Sequence, residues 1–486
     1  MTSTFHGIEL GKRGLAAQQT ALSTTGHNIA NANTVGYTRQ RAEMQSTPAL
    51  SINKVQLGTG VNVNSLVRLR EKYLDTQYRD ENQKLGYYEA KSDALSKIED
   101  ILNEPTDDGL AHVLDEFWKG WQELAKEPDS LAARAVVRQN GVAVTETFQY
   151  ISDSLKQMQN DLKDIIGTKV KEVNSLAKQI SELNGQISSL VANDYQPNDL
   201  YDHRDVLIDQ LSKLVDVKVV PIFTSDNKDT GMIQVSVGGS LGSLLVDGYK
   251  PANPLEINIT NEIDLGTDIK IGGTPIQLAS GELLGRIESY GIKGGAVKST
   301  IPYILDQINN LATEFKDAVN AQHQMGYSLE KNNDGKIEVV KANDEFFTWD
   351  DNNSLVVNPK IINPATGGLY LIAAAAEEGN SASSSTGNGN NALEIANIKS
   401  KVGDQYRNII AQLGIESQES QRMQNNTEAI VNQVENRRQS ISGVSLDEEM
   451  ANMIKFQQAY NAAARMVTAM DQCLDKVING MGRVGL

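Results

Sequence analysis

Between Ser130 and Val191 the chain carries no proline, and Gly141, Gly167 and Gly185 are the only glycines. Val144, Phe148, Ile151, Leu155, Leu162, Ile165, Val173, Leu176, Ile180, Leu183, Ile187 and Leu190 recur at the three-to-four spacing of one helix face. A helix of about 60 residues is about 90 Å long. A compact globule has no room for such an element, so the spacing predicts a rod or bundle and a mainly α fold.

The flanking stretches agree. A helical run from about Ser65 carries Leu66, Leu69, Tyr73, Tyr87, Leu95, Ile98 and Leu102 and stops at Glu104-Pro105. Asp107 and Asp108 can cap a second helix through Trp121, and Pro128-Asp129 open the long one. Asp194 to Pro197 end it, and Leu200–Leu214 forms a shorter helix carrying Asp202-His203-Arg204-Asp205. At Val215 the period changes to two, which predicts strands through about residue 278. Helical spacing returns from Glu282 through Gln322. A loop-and-strand insert follows over 327–376, with Asn333-Asp334-Gly335 as a hairpin turn. Residues 379–391 are low-complexity, and a helix runs from Ala392 to about Ile441 before Ser442-Gly443 breaks it.

The two ends of the chain form a pair. Near the N-terminus Ile8, Leu15, Leu22 and Ile29 recur every seven residues, but Gly11, Gln18 and Thr25 hold the positions that would complete a seam. Gly7, Gly11, Gly14 and Gly26 each cost such a helix roughly 0.5–1 kcal/mol against alanine. A helix this weak needs a partner. At the other end Ser445-Leu446-Asp447-Glu448 reads as a capping box. The helix it opens carries Leu446, Met450, Met453, Tyr460, Ala464, Val467, Leu474, Ile478 and Met481 in a stronger heptad seam. Paired ends make everything between them one long insertion, and neighbouring subunits supply the rest of the seam.

Between the weak helix and the rod, His27 to Arg41 reads HNIANANTVGYTRQR. Asn28, Asn31 and Asn33 are suited to short hydrogen-bonding contacts in a packed wall, and Gly36-Tyr37 mark a turn. Arg39 and Arg41 form a small basic spot suited to an acidic face of a neighbouring subunit. Residues 38–64 alternate as an extended or hairpin segment.

A net charge of −17 and a pI near 4.9 argue against a nucleic-acid or anionic-membrane surface. The single cysteine, Cys473, excludes an internal disulfide framework and reads as a small buried hydrophobe. No run approaches ~18 apolar residues, and the first residues lack the apolar core of a secretory signal. His6, His27, His112, His203 and His323 share no ligand spacing. Gly238–Gly242 lacks the Lys-Ser/Thr ending of a phosphate loop and reads as a turn. Asp202, Arg204 and Asp205 read as an ion-paired helix cap. Nothing here forms a catalytic, cofactor or metal site.

Gly26 to Arg41 resemble the signature of the axial proteins of the bacterial flagellum. The extension Tyr37–Arg41 and the turn Asn198-Asp199-Leu200 through Arg204-Asp205 most resemble the hook-associated protein 1 family. So do Gly443–Glu449, Phe456–Tyr460 and Ala463-Ala464-Arg465. Val35 stands where that signature commonly has proline. The resemblance implies a flagellin-like layout. Residues 1–60 and 443–486 would form a terminal coiled-coil base. Residues 61–215, 282–326 and 392–442 would form a helical rod, with 216–281 and 327–391 as β-rich outer segments. It implies a structural protein with no cofactor that joins hook to filament, in a ring of about eleven copies. The implied partners are hook protein and hook-associated protein 3. An export chaperone would bind the C-terminal helix around Met450–Met481, ahead of type III export without a cleaved signal. Hook-type and rod-type axial proteins, and a secreted enzyme on an axial scaffold, are the alternatives. The first two should be mostly β after the motif.

Overall fold

A computed structural model describes residues 5–52, 55–102, 109–239, 243–260, 262–293, 300–331, 337–376 and 387–480. The Asp107/Asp108 cap, Ser240–Gly242, the Asn333-Asp334-Gly335 turn, most of the low-complexity stretch and Met481 lie outside the described residues. The chain opens with helix α1 (His6–Ala30). Strands β1 (Gln40–Ser46) and β4 (Val61–Arg68) then form a hairpin that encloses β2 (Leu50–Ile52) and β3 (Val55–Leu57). Helices α2 (Lys72–Leu102), α3 (Leu110–Lys126), α4 (Leu131–Val191) and α5 (Asn198–Leu214) follow. At 61 residues α4 is the long element read from the sequence. Ser130 caps it by accepting a hydrogen bond from the Ala133 N–H at 3.2 Å.

Strands β5 (Val217–Phe223), β6 (Asp229–Val237) and β7 (Ser243–Asp247) form one antiparallel sheet with β6 in the middle. A second sheet has the order β10-β9-β8, from β8 (Leu255–Ile257), β9 (Ile269–Ile271) and β10 (Thr274–Pro275). Helices α6 (Glu282–Tyr290) and α7 (Thr300–Met325) return to the rod. Two hairpins pair β11 (Tyr327–Lys331) with β12 (Ile337–Lys341) and β13 (Phe347–Trp349) with β14 (Leu355–Val357). Short α8 (Pro359–Ile362) and α9 (Asn390–Asn397) lead to α10 (Lys399–Ser442) and α11 (Leu446–Gly480).

Three element boundaries differ from the spacing. Ser65–Arg68 continue β4, because Arg68, Val67, Leu66 and Ser65 pair with Gln40–Glu43, and the helix starts only at Lys72. The stretch Glu282–Gln322 is two helices, broken where Gly291 takes φ 145°. The helix read from Ala392 is also two, α9 and α10. The capping box is half-formed. Ser445 Oγ accepts from the Glu448 N–H at 3.5 Å, while the Glu448 carboxylate turns to Arg39.

One continuous apolar core runs through the rod. Its centre is aromatic, with Phe117 5.0 Å from Trp118 and 5.5 Å from Phe315, and Phe346 4.7 Å from Phe347. In sequence it extends from Ala94 to Leu413, so no described residue of α1, the first hairpin or α11 belongs to it. His323 is buried in the rod. Its Nδ1 donates to the Asp344 carbonyl and its Nε2 accepts from the Ala373 N–H, each at 3.0 Å. Burial holds its pKa down to about 4, so the ring is neutral.

Candidate assembly site

Helix α1 lies antiparallel on α11 and uses its small residues to do so. A Cβ on Gly7 would stand 2.8 Å from Met470 Cε, and one on Gly11 2.5 Å from Val467 Cγ2. The glycines that weaken the helix in isolation are therefore the face that lets it sit close to its partner. Its buried residues are Gly11, Ala17, Ala21, Thr24, Thr25 and Asn28. The aliphatic stripe Ile8, Leu15, Leu22 and Ile29 is only half-buried. On α11, Met453, Tyr460, Ala464, Val467 and Leu474 are half-buried, while Leu446, Met450 and Ile478 are 49%, 50% and 66% exposed. Each helix thus keeps apolar surface that the single chain leaves partly uncovered. Cys473 is exposed, against the expectation of a buried thiol. With Gly7, at the start of α1, facing Met470, Cys473 lies near the end of the paired stretch.

The asparagine motif does its work inside the chain. Asn28, 1% exposed, satisfies both ends of its amide. Its Oδ1 accepts from Tyr37 OH at 2.7 Å and from the Gln40 N–H at 3.0 Å. Its Nδ2 donates to the Gln40 carbonyl at 2.9 Å and to Glu449 at 3.2 Å. Burial first, then Asp199, Asp202 and Glu449, push the Tyr37 phenol up, so it stays protonated and donates. Asn31 donates to the His27 carbonyl at 3.0 Å and accepts from Thr34 at 3.2 Å, closing the end of α1. Asn33 is exposed. Gly36 has φ +79°, and a Cβ there would stand 2.0 Å from Val206 Cγ2, so both backbone and space require glycine.

Tyr37–Arg41 then binds two other parts of the chain. On one side the Thr38 N–H donates to Asp202 at 2.9 Å and Gln40 Nε2 to Asp199 at 3.0 Å, while Asn198 donates to Gln40 Oε1 at 3.1 Å. On the other, the Arg39 N–H donates to the Ser442 carbonyl at 2.8 Å and its guanidinium pairs with Glu448 at 2.6 Å. Arg41 stands 3.6 Å from Glu43 and is exposed. Arg39, read as a contact for a neighbour, pairs with Glu448 of its own chain.

Below this segment lies a cluster of ion pairs. Arg68 meets Asp202 at 2.8 Å and Asp205 at 2.9 Å, and Arg70 meets Asp75 at 2.7 Å. Arg79 meets Asp209 at 2.7 Å, and Arg438 pairs with Asp209 and stacks on Tyr78 at 4.2 Å. Burial alone would raise Asp205, but Arg70, Arg68 and Arg79 together hold it down at about 2. Burial raises Asp202, outweighing Arg68 and Thr38. Arg204 stacks on Tyr201 but forms no ion pair in this cluster, contrary to the cap reading. It turns to α4 and β6, donating to Asn184 Oδ1 at 2.8 Å and the Gly231 carbonyl at 2.6 Å. Sequence reasoning missed Arg68, Arg70, Arg79, Arg438 and Glu449. The available signal was Asp202, Asp205 and Asp209 at three-to-four spacing on one face of α5, an acidic stripe that needs a basic counterpart.

The chain resembles known proteins along its whole length. It is 43% identical over 525 residues to flagellar hook-associated protein 1 of Bacillus subtilis, covering 99% of each chain. The chain belongs to the flagellar hook-associated protein 1 family. Family members from Escherichia coli and Salmonella typhimurium are 25% and 24% identical, covering 96% of this chain and 98% of each relative. Residues 95–337 match the flagellar hook-associated protein FlgK helical domain. Residues 8–38 match the flagella basal body rod protein family, and 428–480 the flagellar basal body rod FlgEFG protein C-terminal region. A solved structure of the flagellar hook junction protein FlgK from Burkholderia pseudomallei shares the fold. Its TM-score is 0.55 at 14% identity, over 76% of this chain and all of that one. This is a structural component of the flagellum, mainly α with β inserts. Among the described residues no helix is long and apolar enough to cross a membrane, and no group of three or more His, Cys, Asp or Glu side chains could hold a metal.

Proposed function

We propose that this hook-associated protein joins hook to filament as a ring of about eleven copies at the hook tip. Its ends form the packed base, 443–486 with 1–60 extended to residue 68 because β4 pairs with β1. Residues 69–215, 282–326 and 392–442 form the rod, and 216–281 and 327–391 the outer segments. The observation that carries this reading is the half-covered ridge on each terminal helix, Ile8–Leu15–Leu22–Ile29 on α1 and Leu446–Met450–Ile478 on α11. Such ridges are completed by neighbouring copies, by hook protein below and by hook-associated protein 3 above. Before assembly the chain passes unfolded through the type III apparatus, and an export chaperone shields the α11 ridge. The base helices of a dilute monomer then exchange amide protons far faster than α4. Deleting the gene in a motile host should leave hooks without filaments and release filament subunits into the medium. Intact filaments on such cells would refute the junction role. A crosslinking probe at Arg41, which is exposed beside the motif, should capture an axial neighbour.

A further inference from the structure

Away from the junction of base and rod, α4 and residues 249–254 enclose a cleft of about 470 Å³. Gly248, at φ +61°, turns the chain out of β7, and the segment after it runs back along α4. Tyr249 rests beside Gly185, Ser181 Oγ donates to the Lys250 carbonyl, and Asn174 bonds the Leu255 N–H and carbonyl through its amide. Asn253 is fixed from the other side. Its N–H donates to the Leu245 carbonyl at 2.9 Å and its Nδ2 to the Leu244 carbonyl at 2.7 Å. Pro251 and Pro254 stiffen the wall between these ties. The cleft is therefore preformed, and filling it orders little chain.

Its lining combines an apolar platform with one donor and one acceptor. Tyr249 is 67% exposed and stands with the two proline rings at the cleft. Lys178 and Glu182 share the helix face of Gly185, 3.9 Å apart, with side chains 77% and 59% exposed. An ion pair this long and this exposed contributes little, so both groups can bond a ligand at small cost. A pyranose ring matches all three features. It has an apolar face of C–H bonds, and its neighbouring hydroxyls each donate and accept.

We propose that this cleft binds a short neutral oligosaccharide, with one pyranose stacked on Tyr249 and a vicinal diol between Lys178 and Glu182. One hydroxyl accepts from the Lys178 ammonium, and its neighbour donates to the Glu182 carboxylate. The volume holds about two sugar rings. An anionic ligand would meet Glu182 as a like charge, and a cationic one Lys178. A proline-rich segment would also stack on Tyr249, but its prolines have no N–H for Glu182.

The test is saturation-transfer difference NMR on the full-length chain, with lactose, cellobiose and N,N′-diacetylchitobiose as probes at about 10 mM. At least one sugar should receive saturation on the C–H protons of one ring face. Tyr249→Ala, a change at an exposed position, should abolish that transfer while leaving the circular dichroism unchanged. Glu182→Gln should weaken binding roughly tenfold. Tyr150→Ala, at an exposed tyrosine of α4 outside the cleft, should alter neither. Transfer to none of the three sugars overturns the proposal, as does transfer that survives Tyr249→Ala. A proline-rich peptide that takes up saturation through Tyr249 while the sugars do not also overturns it. The readout needs only the purified chain, so its failure leaves the hook–filament role standing.

Discussion

Alanine substitutions along α1 should have opposite signs at positions that a propensity scale treats alike. Any Gly→Ala change inside a helix gains about 1 kcal/mol of intrinsic stability. At Gly26 no atom stands within 4 Å of the new methyl, so Gly26→Ala should realise the full gain. At Gly11 the methyl would sit 2.5 Å from Val467 Cγ2, a branched side chain with little rotamer freedom. The two helices must part by about 1 Å, at the 1–3 kcal/mol typical of overpacking. The net for Gly11→Ala is then a loss of up to about 2 kcal/mol. In rapid-quench hydrogen exchange, Gly26→Ala should slow the α1 amides about fivefold and Gly11→Ala speed them by up to about 30-fold. Val467→Ala in the Gly11→Ala background should recover most of that loss. Equal slowing by both alanines would refute the close-packed glycine face.

Other residues give sharp expectations. Asn28→Ala leaves the buried Gln40 N–H and carbonyl without their side-chain partner. It should cost about 2–4 kcal/mol, read as lost protection in 37–41 with the rod amides unchanged. Gly36→Ala combines left-handed backbone with a 2.0 Å approach to Val206 and should cost about 2–3 kcal/mol, partly restored by Val206→Ala. His323 is held neutral with a pKa of about 4, below its ordinary 6.5. Its contribution is therefore complete above pH 6.5 and is lost as pH falls toward 4, by roughly 3 kcal/mol in all. Urea titrations of the rod at pH 7 and pH 4 should show that difference, and His323→Gln should flatten it.

The rod was legible because an apolar face repeated over 61 residues has one structural solution. The terminal pairing was legible for the same reason at α11, and less so at α1. Propensity counts each glycine as a cost, and only the partner's position, Val467 against Gly11, turns it into a contact. Cys473 was misplaced because its burial depends on where α1 begins relative to α11, a register that periodicity does not give. Ser65–Arg68 read as helix because the three-residue step from Leu66 to Leu69 fits a helical face, and pairing with Gln40–Glu43 decided for strand. The junction was the least legible part. Asn28 and Glu449 are 421 residues apart, and Arg68 and Asp202 are 134 apart. Polar residues that satisfy one another across such distances leave no local period to read.

The Arg39 main chain, with its N–H on the Ser442 carbonyl at 2.8 Å and its carbonyl on the Leu69 N–H at 2.9 Å, also sets how the chain carries load. Helix α2 leaves the junction and α10 returns to it, lying alongside with Ser92 Oγ donating to Gln421 at 3.1 Å and Asp75 near Arg438 at 3.6 Å. Because both chain connections between base and rod, at 69–71 and at 443–445, stand at the same end of this pair, tension on the base divides between two helices and runs along their axes. It must shear the packing of α2 on α4–α6 and of α10 on α3 and α7 all at once, and it has no free end from which to peel one turn at a time.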